Sequence, residues 1–161
     1  MQSHFIIFIH LLAAAAAVGS LAYCILFFLP VMEKLPPPEK TPEEHSVTYK
    51  ALEILAPTVL ASILVLIGTG VYFLLANYTR QVDLAPGYYD LFGIKMVFVI
   101  LALFLSIYLT FSLRSRIANL DLKPENRKLV PATLKQMKSL SQAILIILLI
   151  ASFLGVWLAR F

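Results

Sequence analysis

Three side chains could do chemistry from inside apolar stretches of this sequence: His10, Lys95 and Tyr72. A neutral imidazole offers one ring nitrogen to a metal, haem iron included. An ammonium neutralises an anion, and a phenol donates or accepts a hydrogen bond. Ionisable groups are costly in lipid, so each one within a membrane-spanning stretch raises a functional hypothesis. Plainer roles stand beside it. His10 could donate to a neighbouring helix as a structural polar contact. Lys95 could lean its long stem towards the membrane surface. His4 reads as interfacial, and His45, in a Pro/Glu-rich loop, as solvated.

The elements that must position these groups follow from composition. The chain has 161 residues, of which 60% are hydrophobic and 14% charged. A soluble domain is closer to half apolar and about a quarter charged. Here the apolar residues fall in four blocks, at about 5–29, 51–77, 91–113 and 140–158. Each reaches the roughly 20 residues that cross the hydrocarbon core. Backbone groups in lipid must be satisfied within a segment, so each block predicts a helix. The expected fold is all-α, a single integral membrane four-helix bundle over residues 1–161. The first block has no Lys or Arg before it and is too long for a signal-peptide core, so it reads as a retained helix.

The connections are polar. "EKLPPPEKTPEEHS" is expected to be a non-helical loop because of its prolines, and "RQVDLAPGYYD" carries a Pro-Gly turn signal. Lys and Arg set the orientation. Loop one holds Lys34, Lys40 and Lys50, and loop three holds Arg114, Arg116, Lys123, Arg127, Lys128, Lys135 and Lys138. The other side carries only Arg80 and Arg160. Both termini are therefore expected outside, on the periplasmic face of a bacterial inner membrane, with the basic loop 114–138 cytoplasmic. Tyr78, Tyr88, Tyr89 and Trp157 then fall at the outer interface. A basic loop beside a membrane reports topology, so no nucleic-acid partner is expected; the partners are the bilayer and other membrane subunits.

This topology gathers His10, Lys95, Tyr72 and Asn77 in the outer half, with His10 roughly 8 Å deep at about 1.5 Å per residue. His10 heads the small-residue run "HLLAAAAAVGS". Its helical face continues through Ala14, Ala17, Leu21 and Cys24, flanked by Ala13, Ala16 and Ser20. Such a face permits close helix packing, or a flat cavity beneath a histidine that suits a planar macrocycle. "GTG" at Gly68 to Gly70 gives the second helix a similar patch. Haem b with His10 as axial ligand and Lys95 on a propionate is the cofactor reading. Bis-histidine ligation within one chain is not expected, because only His10 lies well inside a span. Met96 is a conceivable second ligand, but it points about 100° away from Lys95 on its helix. Cys24 is the single cysteine, which excludes an intrachain disulfide and a CxxC site. The methionines and histidines form no cluster suited to Cu(I).

The first helix, with His10, Gly19, Tyr23 and Pro30, resembles the opening helix of copper-resistance D-type membrane proteins. It is also similar to that of the four-helix J-type protoporphyrinogen oxidases. "YDLFGIKMVFVILALFLSIYL", with Gly93 and Lys95, and "LIGTGVYFLL" resemble their third and second helices. The oxidase resemblance implies haem b on His10, with Lys95 needed for activity. The chain departs from that family at "PVMEKL", where an aromatic–His pair would stand, and at Tyr108, which no histidine follows.

Four functions come out of these residues. The first is a haem-b protein or subunit in electron transfer. The second is a cofactor-free accessory subunit of a larger respiratory or photosynthetic membrane complex. The third is a porphyrinogen-oxidising enzyme and the fourth a copper-handling protein. No GxSxG, Walker, HExxH or Rossmann signature is present. Glu43 and Glu44 are the one adjacent carboxylate pair, expected solvated in the Pro-rich loop. Enzymatic activity of the isolated chain is left open, with the balance against it and oxidoreductase as the class.

Overall fold

The structure, a computed structural model, describes residues 2–34, 42–79, 87–113 and 130–158. These residues are all helical apart from a turn at Gly87. Helix α1 spans Gln2–Tyr23, passes through a π-helical turn at Cys24–Phe28 and continues as α2, Leu29–Lys34. Helix α3 is Pro42–Thr79; α4 is Tyr88–Ile107, followed by a π-helical turn at Tyr108–Leu113; α5 is Val130–Leu158. Four segments within these are long and apolar enough to cross a membrane: His4–Val31, Ile54–Ala76, Tyr88–Ser112 and Pro131–Leu158.

The π turn before Pro30 has a local cause. A proline inside a helix has no N–H to give and its ring presses on the carbonyl four residues back. Widening the ladder just ahead of it relieves that clash while the chain stays helical, as lipid requires. The first turn of α4 is set by Gly87, whose φ of 92° suits glycine. Its carbonyl accepts from the Leu91 N–H at 3.1 Å, and Asp90 sits where the helix dipole favours an acid.

Two expected boundaries are corrected. The segment "PEEHSVTYK" is helical: Pro42 opens α3, and Glu43 and Glu44 stand in its first turn. Proline is well tolerated there because the first N–H groups of a helix have no partner anyway. Likewise α5 begins at Val130, so residues 130–138 of the basic loop are helix. The buried Thr133, Leu134, Met137 and Ser141 form one stripe there, with Lys135 and Gln136 exposed. The expected tri-proline loop, Tyr78, Arg80 and the basic residues 114–128 lie outside the residues whose side chains are described.

The helices form a ring. Helix α1 packs mainly on α3 and also on α5; α4 packs mainly on α5 and also on α3. Thus α1 stands opposite α4. The core between them is Ala17, Leu21, Leu29, Val59, Ile63, Ala102, Leu109, Met137, Ile144 and Leu148. Large apolar side chains such as Phe5, Phe8, Leu64, Val97, Phe104, Phe111, Ile146 and Phe153 point away from it. An apolar exterior of this extent matches lipid rather than water as its solvent.

Candidate functional site

Each helix brings one residue to the same end of the bundle, where α1 starts and α5 finishes. His10 comes from α1, Thr69 from α3, Lys95 from α4 and Gly155 from α5. Here His10 Nδ1 lies 2.6 Å from Thr69 Oγ1. Thr69 Oγ1 also lies 2.7 Å from the Val65 carbonyl and 3.2 Å from that of Leu66. A hydroxyl has one hydrogen, and a carbonyl can only accept. The Val65 contact can take the hydroxyl hydrogen, in the back-bonding pattern usual for helical threonine. With its hydrogen on that carbonyl, Thr69 Oγ1 offers a lone pair that an Nδ1–H can meet. The remaining lone pair of the imidazole is on Nε2, which has no hydrogen bond among the described residues.

Lys95 is half-buried. Its ammonium rests against α5, where a Cβ added at Gly155 would fall 2.9 Å from Nζ and 3.5 Å from Cε. Gly155 stands three residues before α5 ends. The head of the side chain thus rests on the neighbouring helix. No carboxylate pairs with it among the described residues.

The other sequence candidates fall around this pair. Tyr72 is one turn beyond Thr69 on α3, exposed, with its ring edge-on to Phe73 at 6.2 Å. It makes no hydrogen bond to His10 or Lys95. Met96 is half-buried on α4, and the Asn77 side chain lies outside the described residues. Close packing is what the alanines do: Ala13 and Ala17 are buried, and Leu21 and Cys24 continue the filled face. Ala14, Ala16 and Ser20 on the same helix are only half-buried. The glycines behave oppositely, since a Cβ at Gly19, Gly68, Gly70 or Gly93 would meet nothing within 4 Å. The GTG turn engages α1 through its threonine rather than by close backbone approach. Thr69 and Gly155 are the residues that the sequence reading missed.

A second polar group lies nearer the other end. Ser106 and Ser141 are fully buried; the Ser106 hydroxyl has no partner among the described residues, and Ser141 lies beside the Cys24 thiol. Thr110 donates to the Ala56 carbonyl at 3.2 Å, tying the end of α4's π turn to α3. A cavity of about 10 Å³ there is lined by Cys24, Val59, Leu109, Met137 and Ser141 among others. It is separated from His10 by the fourteen residues to Cys24, about 21 Å of helix, and does not belong to the same site.

Chemically, the site offers one imidazole nitrogen and one ammonium. No group of three or more His, Cys, Asp and Glu occurs among the described residues, so a metal cage built from protein ligands is not formed there. Haem asks for less, because the macrocycle brings four nitrogens and the protein needs to add only an axial ligand. His10 with a held Nδ1 and a free Nε2 fits that donor role, and Lys95 fits a propionate. Comparison of the chain with protein families, curated proteins and solved structures gives no match.

Proposed function

We propose that the chain is an integral membrane protein that binds haem b at the end of the bundle bearing its termini and serves in electron transfer, alone or as a subunit. His10 is the axial ligand through Nε2. Lys95, held against Gly155, neutralises a propionate, a charge that lipid would otherwise make expensive. Tyr72 flanks the site one turn along α3. Bound haem b supplies a one-electron couple; the chain holds it near one membrane face. The distribution of Lys and Arg makes that face the outer one, with loops one and three in the cytoplasm of a bacterial cell. The resemblance to the J-type oxidases and copper-resistance D-type proteins points the same way.

The observation that carries this reading is the His10–Thr69 hydrogen bond, which occupies Nδ1 and leaves Nε2 without a partner among the described residues. A ligating histidine commonly donates its other ring N–H to a neighbouring acceptor. A second reading, a cofactor-free accessory subunit, is favoured by the filled Ala13–Ala17–Leu21 face beneath His10. A reduced-minus-oxidised spectrum with a pyridine haemochrome assay separates them. The haem reading expects a sharp α-band and near-stoichiometric haem b. A featureless spectrum from folded protein leaves the accessory role.

A further inference from the structure

We propose that Thr69 is a positioning residue that locks His10 in the Nδ1–H tautomer and so presents Nε2 as the free ligand atom of the site. The proposal rests on the haem reading for its purpose, but the tautomer can be tested without haem.

The hydrogens around Thr69 select the tautomer. Neutral imidazole carries its proton on either nitrogen, and the hydrogen bond made by one nitrogen decides the state of the other. Thr69 Oγ1 has a single hydrogen and lies within 2.7 Å of the Val65 carbonyl. If that hydrogen pointed to His10 instead, two oxygens would face each other at that distance with nothing between them. The Thr69 oxygen is thereby fixed as an acceptor, and at 2.6 Å it selects Nδ1–H. The helix backbone of α3 thus reaches through one hydroxyl to set the proton on α1.

The surroundings make Thr69 the specific tie. Gly68 and Gly70, on either side of it, would have open space around an added Cβ. No close backbone approach at this turn would hold the ring in its absence. A donated Nδ1–H also raises the basicity of the opposite nitrogen, and loss of such a partner typically weakens metal binding about 10- to 100-fold.

The test uses the full chain, labelled with ¹⁵N-histidine, in detergent micelles at a pH where the imidazole is neutral. Long-range ¹H–¹⁵N correlation reads the protonation of each ring nitrogen, and His10→Ala identifies the His10 signals among the three histidines. Wild type is expected to show a protonated Nδ1 and an unprotonated Nε2. Thr69→Val, near-isosteric but without a hydroxyl, is expected to give a mixture of tautomers with unchanged helix content. Thr69→Ser is expected to restore the wild-type pattern, which a purely steric role for Thr69 would not do. A wild-type ring protonated on Nε2, or a Thr69→Val spectrum identical to wild type, overturns the proposal. Haem content of the same wild-type preparation is scored separately. If the tautomer pattern holds while no haem is bound, the positioning stands and the haem reading falls. In haem-loaded protein, Thr69→Val should lower affinity about tenfold and Thr69→Ser should not; equal affinities would overturn the functional half of the proposal.

Discussion

Gly155→Ala is a one-carbon change whose effect can be worked out from the structure. The new Cβ would lie 2.9 Å from Lys95 Nζ and 3.5 Å from Cε. Ordinary contacts begin near 3.5 Å, so the ammonium must retreat by roughly 0.5–1 Å. The obstructing atoms are the far end of a flexible side chain, so the lysine moves and the helices stay. Alanine is also the better helix former, by up to about 1 kcal/mol. The fold should therefore be as stable as wild type or more so. The site should be weaker. At an effective dielectric constant near 20, a unit-charge pair at about 4 Å is worth ~4 kcal/mol. Withdrawal by about 1 Å costs ~0.8 kcal/mol on the same scale, which is close to a fourfold loss of affinity. The assay is haem titration into the haem-free protein, alongside unfolding in mixed micelles, with Lys95→Met as the limit of complete charge loss. Destabilisation by 1 kcal/mol or more would refute the reasoning, because Gly155 would then serve backbone packing. Unchanged affinity in both variants would show that Lys95 faces no anion.

Neighbouring residues of α3 should respond oppositely to truncation. Ile63 is 0% exposed and Leu64 52%, so Ile63→Ala should cost about 2 kcal/mol or more and Leu64→Ala less than about 0.5 kcal/mol, read by unfolding in mixed micelles. The Cys24 thiol is buried in the bundle. A water-soluble maleimide should leave it unlabelled in the folded protein and label it fully after denaturation; rapid labelling of the native form would contradict the packing of α1. A reporter fused after Phe161 should be active only in its periplasmic form, and cytoplasmic activity would reverse the orientation.

The four helices were legible because blocks of apolar residues long enough for a bilayer leave the backbone no alternative. Their ends were less so. Hydropathy marks where a helix enters lipid, not where it starts, and Lys135 and Lys138 hide the continuation of α5 to Val130. The spacing of Leu134, Met137 and Ser141 carried that signal, at helical intervals on one face. His10 and Lys95 stood out by charge alone, and the depth argument placed them at one end. Their partners did not stand out. Helices apolar on nearly every side give no periodicity to say which face turns inward, so Thr69 read as part of a small-residue patch and Gly155 not at all. The alanine run was read with two outcomes open. The burial of Ala13 and Ala17 supports the packing outcome along that stripe.

The central claim is that Nε2 of His10 is the ligand atom for haem b, and His10→Ala tests it most directly. Wild type and variant, purified side by side from haem-replete membranes, should have the same helix content and oligomer profile. The account predicts a Soret band and near-stoichiometric haem in wild type, and neither in the variant. Equal haem in both proteins would contradict it.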